Sequence, residues 1–196
     1  MSEEARFEVI AAGFSGNQSV AEAGLLSPDG STRASALRAL ARLQVLSPDT
    51  LTDFLRDEDP EVRRTAVELA APFASVLVHS LIDDHDVFVA EMTAWCLGER
   101  LPIRDEEINI LIDRTTSHAE AVVREACAAA LGSIGDERGL TAILAACADK
   151  PAVRRRAILA LAPFEGDDVD AALTKALDDK DWQVRQNAED LLNPRG

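Results

Sequence analysis

The sequence predicts an all-α protein built from repeated helix pairs, and two observations carry this prediction. The chain of 196 residues contains 33 Ala and 23 Leu but only 6 Phe and no Tyr, a mixture that favours helices over sheets. A six-residue pattern with Arg in third place also recurs about every thirty residues, as in 61–66 and 152–157. A period of this length is typical of stacked helical units. We therefore expect a right-handed α-solenoid along the whole chain, 1–196.

Six copies of the pattern cover residues 19–192, and each is named here by its anchor, the residue in the Arg place. The anchors are 27 to 34 residues apart and, in order of the six repeats, are Arg33, Arg63, Ala90, Arg124, Arg154 and Arg185. The residue before each anchor and those three, six and seven after it are nearly all small or apolar. This spacing predicts an amphipathic second helix in each repeat.

A first helix is expected upstream of each second helix. An apolar stripe lies about eight and twelve residues before the anchors, as at Leu51 with Leu55 and at Val78 with Ile82. An acidic turn joins the two helices of a pair. Asp59, Asp86 and Asp181 in these turns are predicted N-caps, so much of the acidic excess stabilises helix starts and need not indicate a ligand.

The amino-terminal segment, residues 1–14, predicts one further helix. Phe7, Ile10 and Phe14 stand at helical spacing there, and Gly16-Asn17 separates this segment from the repeats. We expect the helix to cap the first repeat.

The pattern resembles HEAT repeats of the short bacterial type that is also found in phycobilisome lyase subunits. Residues 131–140, LGSIGDERGL, resemble the loop of that type between repeats, and 179–185, DKDWQVR, resemble its turn within a repeat. The resemblance implies a concave side lined by the second helices. It also implies an internal ladder, in which an Asp six residues before an Arg bonds to Arg residues of neighbouring repeats.

This ladder is expected to be incomplete. Asp57 and Asp179 stand at the required spacing from Arg63 and Arg185. Elsewhere the Asp place is altered, or Asp is present without its Arg. Ser27, His118 and Ala148 occupy the Asp place, and Asp84 meets Ala90 in place of an Arg.

The charge excludes several classes of partner. With 35 acids against 20 bases the net charge is −15, which repels nucleic-acid phosphates and anionic lipid surfaces. No apolar run approaches the ~20 residues of a membrane span. Three cysteines without CxxC spacing are typical of reduced thiols. We expect a cytoplasmic protein that binds neither nucleic acid nor membrane.

No set of residues predicts catalysis, a cofactor or a metal. His79, His85 and His118 are the only histidines. Deoxyhypusine hydroxylases resemble this fold but carry His-Glu ligand pairs, whereas these histidines are followed by Ser, Asp and Ala. His85 and His118 stand in equivalent turns of successive repeats, so a shared metal is the alternative to two solvated turn histidines. The expectation is no metal, no cofactor and no enzymatic activity.

The face of the second helices is the predicted interaction surface. Residues one, four and five places after each anchor are expected to point into the concave side, and the middle repeats are the least polar. Trp95 would stand near the centre of a shallow apolar strip with Ala94, Ala128 and Ala129; packing of these residues inside the array is the open alternative. The residues predicted to bind a partner are Arg64, Glu91, Trp95, Glu125, Arg155, Ile158 and Leu159.

These observations predict a non-enzymatic scaffold or adaptor that binds a protein or peptide. The alternative, which follows from the resemblance, is a regulatory or bilin-lyase-like subunit that acts on a bound chromophore or a modified partner.

Overall fold

The structure is a computed structural model that describes residues 3–100 and 102–193. Within these ranges it contains α-helices, two short 3-10 helices and no strand, so the predicted all-α fold is confirmed. The α-helices are α1 (Glu3–Ser15), α2 (Gln18–Gly24), α3 (Gly30–Arg42), α4 (Pro48–Phe54), α5 (Pro60–Leu69), α6 (Val87–Gly98), α7 (Asp105–Ser117), α8 (Ala121–Ile134), α9 (Leu140–Ala146), α10 (Pro151–Ala160), α11 (Asp167–Ala176) and α12 (Trp182–Leu192).

The chain forms two compact units, Met1–Ser80 and Leu81–Gly196. The first unit holds helices α1 to α5, and the second holds α6 to α12. That the repeats form one continuous array over residues 1–196 stays a prediction.

The predicted helix pairs are present in five repeats, as α2 with α3, α4 with α5, α7 with α8, α9 with α10 and α11 with α12. The third repeat differs, because its first element is only a five-residue 3-10 helix, His79–Asp83. The prediction of a full first helix was wrong there. Its anchor follows the preceding one by 27 residues, the shortest interval between anchors.

The apolar stripe of the second helices forms the core, as predicted. In α8 the buried positions include Val123, Cys127, Ala130 and Leu131. They stand one residue before the anchor and three, six and seven residues after it. The equivalent residues Val153, Ala157 and Ala160 of α10, and Leu161 at its C-cap, are buried as well.

The predicted N-caps are confirmed. The Asp59 carboxylate accepts a hydrogen bond from the Glu61 backbone N–H at 2.8 Å. Asp86 accepts from the backbone N–H groups of Phe88 and Val89, and Asp181 accepts from that of Gln183. Each of these bonds satisfies donors that the first turn of a helix leaves unpaired.

Glycines allow neighbouring second helices to approach closely. A Cβ atom added to Gly98 of α6 would lie 2.8 Å from the Cα atom of Ala130 in α8, and one on Gly132 would lie 2.6 Å from the Cα atom of Ala160. Each glycine stands eight residues after its anchor, and each alanine six residues after the next anchor. Side chains larger than hydrogen at the glycine position would push these helices apart.

The same contact places α1 among the second helices of the first unit. A Cβ atom on Gly13 would lie 2.9 Å from the Cα atom of Ala39 in α3. The predicted capping helix is thus confirmed, but its packing face consists of Val9, Ala12 and Gly13. The residues that predicted the helix, Phe7, Ile10 and Phe14, are exposed.

Candidate interaction surface

The Arg anchors form the predicted ladder between repeats. The Nε and Nη2 atoms of Arg124 donate to both carboxylate oxygens of Asp149, at 2.6 and 2.8 Å. Arg154 holds Asp179 in the same way at 2.8 and 2.7 Å. Each Asp lies in the turn of the following repeat. These hydrogen bonds lower the pKa of the Asp149 and Asp179 carboxyl groups.

Within a repeat the Arg bonds to backbone carbonyls, so a missing Asp does not interrupt this part of the ladder. The Nη1 atom of Arg33 donates to the Ser27 carbonyl at 2.8 Å, and that of Arg124 donates to the His118 carbonyl at 2.7 Å. The ladder was predicted to be interrupted at Ala148, and this prediction was wrong. The carboxylate of Asp149, one residue later, forms the ion pair with Arg124 that is one rung of the ladder.

The third repeat, with Ala90 at its anchor, carries a different ion pair. The Nε and Nη2 atoms of Arg114, on α7, donate to the two carboxylate oxygens of Asp83 at 2.7 Å each. The Nε2 atom of His118 lies 3.9 Å from the same carboxylate. The hydrogen bonds from Arg114 lower the pKa of Asp83. Ala90 is itself fully buried, so it does not border Trp95 on the surface.

Burial dominates the environment of the cysteine thiols, although the Arg100 side chain also interacts with Cys96. Cys96 and Cys127 are buried free cysteines, as predicted for core thiols. Burial raises the pKa of the Cys96 thiol to about 11 and that of Cys127 to about 12. Among the described residues, no group of three or more His, Cys, Asp and Glu side chains is arranged to hold a metal ion. None of the described helices is both long and apolar enough to cross a membrane.

In the first five repeats the position four residues after the anchor is part of the core, which is the inward packing that the sequence left open as an alternative. Ile158, which was expected to contact a partner, is only 1% exposed. Four residues after the anchor lies only about 60° around the helix from the buried position seven after it. The residues buried at this position in the first five repeats are Leu37, Val67, Ala94, Ala128 and Ile158.

Residues one and five places after the anchors of α6 and α8 line a cleft in the second unit. Glu91 and Trp95 of α6 and Glu125 of α8 line one cleft of about 300 Å³, which also contacts α10 through Arg156. The Trp95 side chain is 43% exposed, so it does not lie in the core. The small residues Ala126, Ala129 and Ala130 of α8 also line the cleft and are called its floor here.

The other predicted site residues are not among those lining this cleft. Leu159 is exposed on α10. The Nη2 atom of Arg155 lies 2.7 Å from the carboxylate of Asp181, the N-cap of α12. Arg64 is half-buried on α5, in the first unit.

The offsets did not identify Glu99 and Arg156 in the second unit, nor did the apolar spacing of α1 predict its exposure in the first. Glu99 and Arg156 line the cleft but stand nine and two residues after their anchors, outside the positions considered. In the first unit, Phe7, Ile10 and Phe14 form an exposed apolar stripe along α1, and the Arg42 guanidinium lies 4.0 Å from the centre of the Phe14 ring. Gly13 could have indicated that α1 packs through a different face, because it stands eight residues after Ala5 just as Gly98 follows Ala90.

A family model of HEAT repeats matches residues 49–131 and 108–193. The chain belongs to the HEAT-repeat family. Comparison with curated proteins finds no match.

Solved structures are similar to this HEAT-repeat chain in fold. The X-ray structure of YibA from Escherichia coli has a TM-score of 0.71 at 18% identity, covering 98% of this chain and 75% of that one. A designed armadillo repeat protein in complex with the peptide (KR)4 has a TM-score of 0.61 at 19% identity, covering 88% and 96%. Another designed armadillo repeat protein reaches 0.58 at 19% identity, covering 88% and 97%. These similarities confirm the α-solenoid fold class.

Proposed function

We propose that this HEAT-repeat protein is a non-enzymatic scaffold that binds a protein or peptide in the cleft of its second unit. The observation that carries the proposal is the partial exposure of Trp95 in this cleft. Tryptophan side chains that are accessible within a concavity are frequent anchors of protein interfaces, because they bury a large area on binding.

The shape of the cleft supports a polypeptide ligand. Its floor is formed by Ala126, Ala129 and Ala130 of α8, which leaves space for a side chain of a partner beside the indole ring. The designed armadillo repeat protein of similar fold was solved in complex with a peptide. A groove along stacked helices suits a polypeptide, since repeats present their surfaces in a row.

The remaining expectations extend the proposal. An interval of about thirty residues between anchors supports repeats of the short bacterial type. The net charge of −15 disfavours nucleic-acid and anionic-membrane partners. The buried free thiols support a cytoplasmic location.

The test compares two tryptophans. Trp95→Ala is expected to change the free energy of unfolding by about 1 kcal/mol or less. It is expected to weaken binding of the physiological partner about tenfold, or about 1.4 kcal/mol. The partner is isolated on immobilised wild-type protein from the source cells and identified, and its affinity is then measured by calorimetry.

Trp182→Ala is the matched control, because Trp182 is exposed on α12 and does not line the cleft. The proposal is overturned if Trp95→Ala binds the partner like wild type, or if both variants weaken binding equally.

A further inference from the structure

We propose that the cleft around Trp95 accepts an arginine or lysine side chain of the partner, with the cation over the indole and between the carboxylates of Glu91 and Glu99. This inference rests on the proposed function and names the chemistry of its ligand. It concerns only the second unit, in which α6, α8 and α10 form the cleft.

The residues that line the cleft carry a net negative charge. Three carboxylates border the cleft, from Glu91, Glu99 and Glu125, and one cation, from Arg156. Three negative charges and one positive charge leave a net charge of −2 beside an exposed aromatic ring. Since the whole chain carries −15, the long-range field also attracts cations to this cleft.

The three carboxylates of the cleft differ in whether a cation of the chain lies beside them. The Nε atom of Arg156 lies 3.7 Å from an Oε1 atom of Glu125, so that carboxylate has a cation within the chain. Within residues 3–100 and 102–193, no cationic side chain pairs with Glu91 or Glu99. These two carboxylates are the ones available to an incoming cation.

The spacing along α6 brings both acids to the side of Trp95. Glu91 precedes Trp95 by four residues and Glu99, the C-cap of the helix, follows it by four, so each lies about one turn from the indole on the same side. The face of an indole ring attracts a cation, and flanking carboxylates add to this attraction. The alanine floor contacts the aliphatic stem of a Lys or Arg side chain, while its charged end stays near the acids.

An uncharged occupant fits these residues less well. An apolar side chain on Trp95 would remove water from the neighbouring carboxylates without giving them a partner, which is costly. A phosphate group would meet their charge with the same sign. A guanidinium or ammonium group satisfies both the ring and the acids, as Arg156 already does for Glu125.

The direct test uses an acetylated octapeptide of alternating Lys and Arg as the probe. Its control is the same peptide with acetyl-lysine and citrulline, which keeps the aliphatic stems of the side chains but removes their charge. Binding is followed by the fluorescence of Trp95 in a Trp182→Phe background. The charged peptide is expected to change this emission and to bind about tenfold more tightly than the neutral one.

Two matched pairs of variants distinguish the contribution of the cleft to peptide affinity from that of the overall charge of the chain. Glu91→Gln with Glu99→Gln is expected to weaken binding of the basic peptide about tenfold. Glu137→Gln with Glu165→Gln removes the same charge from exposed residues outside the cleft and is expected to change affinity less than about twofold. Equal weakening by both pairs, or equal affinity for the neutral peptide, overturns the inference.

The outcomes also distinguish this inference from the proposed function. If Trp95→Ala releases the physiological partner but the basic peptide fails to bind, the scaffold proposal holds and the cation site is wrong. If Trp95→Ala leaves the partner bound, the proposed function is wrong, whatever the peptide does.

Discussion

The fourth and the third repeat each form an ion pair with the repeat that follows, but the cation and the carboxylate change places. In the fourth, Arg124 of a second helix holds Asp149 in the turn of the next repeat. In the third, the anchor is Ala90, and Asp83 is held by Arg114 from the first helix of the following repeat. Each of these two junctions thus has a bidentate guanidinium–carboxylate pair. The earlier repeat supplies the cation in one pair and the later repeat supplies it in the other.

The two pairs differ in burial. The side chains of Arg124 and Asp149 are 10% and 20% exposed, whereas those of Arg114 and Asp83 are 28% and 49% exposed. Arg124 also donates to the backbone carbonyls of His118 and Ala119. Loss of the buried pair therefore leaves more polar groups unsatisfied, and it should cost more stability.

The largest effect is expected for Arg124→Ala. The substitution leaves the Asp149 carboxylate and two backbone carbonyls without their donor in a largely buried place, at a cost of about 3 kcal/mol. Urea unfolding followed by circular dichroism measures this free energy. A loss below about 1 kcal/mol would show that the buried rung contributes no more than a surface ion pair.

Ala90→Arg tests whether the third repeat can accept a regular anchor. Ala90 is fully buried, and the position six residues before the next anchor is His118, which offers no carboxylate. An unpaired buried guanidinium should destabilise the protein by about 2 kcal/mol or more.

Adding His118→Asp to Ala90→Arg should restore at least about half of the lost stability, because it supplies the carboxylate that Asp57 supplies to Arg33. The coupling is obtained from the two single variants and the double variant in the same urea experiment. Strict additivity of the two changes would contradict the equivalence of the repeats.

Arg114→Ala should have a smaller effect than Arg124→Ala. The Asp83 carboxylate that it leaves behind is half-exposed, so water replaces the lost hydrogen bonds at a cost of about 1 kcal/mol or less. Differential scanning calorimetry of both variants under one set of conditions ranks them. An equal loss in melting temperature would remove the distinction between the two kinds of rung.

Acidification should have the smallest effect on the stability that the two ion pairs contribute. The pKa values of Asp149 and Asp83 are lowered in the folded state, so their contribution is fully present above the ordinary Asp value of 3.8. It is lost as the pH falls through the lowered value of the folded protein. The stability gaps between wild type and Asp149→Asn or Asp83→Asn should therefore narrow in acid.

Urea unfolding at neutral pH and at about pH 3 measures both gaps, and the gap for Asp83→Asn should be the smaller one throughout. A gap for either variant that widens with falling pH would contradict the sign of the lowered pKa.

Several features were predictable because they depend on a few neighbouring residues. The N-caps Asp59, Asp86 and Asp181 each bond within three residues of themselves. The apolar stripe of each second helix repeats with the helical period. The rung at Asp149 was missed because the turn before α10 is one residue shorter, which a fixed spacing of six does not allow.

The candidate cleft was predictable only in part. Glu91, Trp95 and Glu125 were identified from their offsets and do line one cleft. Ile158 was assigned to the same surface, but the neighbouring helices cover it. Arg156 was not among the predicted site residues, although it borders the cleft and approaches Glu125. Offsets place a residue on a helix, but the flanking helices decide whether it is accessible.

By itself, the sequence determined the helical repeats, their caps and their apolar stripe, because backbone hydrogen bonding and side-chain periodicity act over one or two turns. Only the tertiary structure decided which flank of each helix is covered. The stripe Phe7, Ile10 and Phe14 predicts a buried face, yet α1 packs through Val9, Ala12 and Gly13. The reason is the contact between Gly13 and Ala39, where the absence of a side chain lets two backbones meet, and this contact joins residues far apart in sequence.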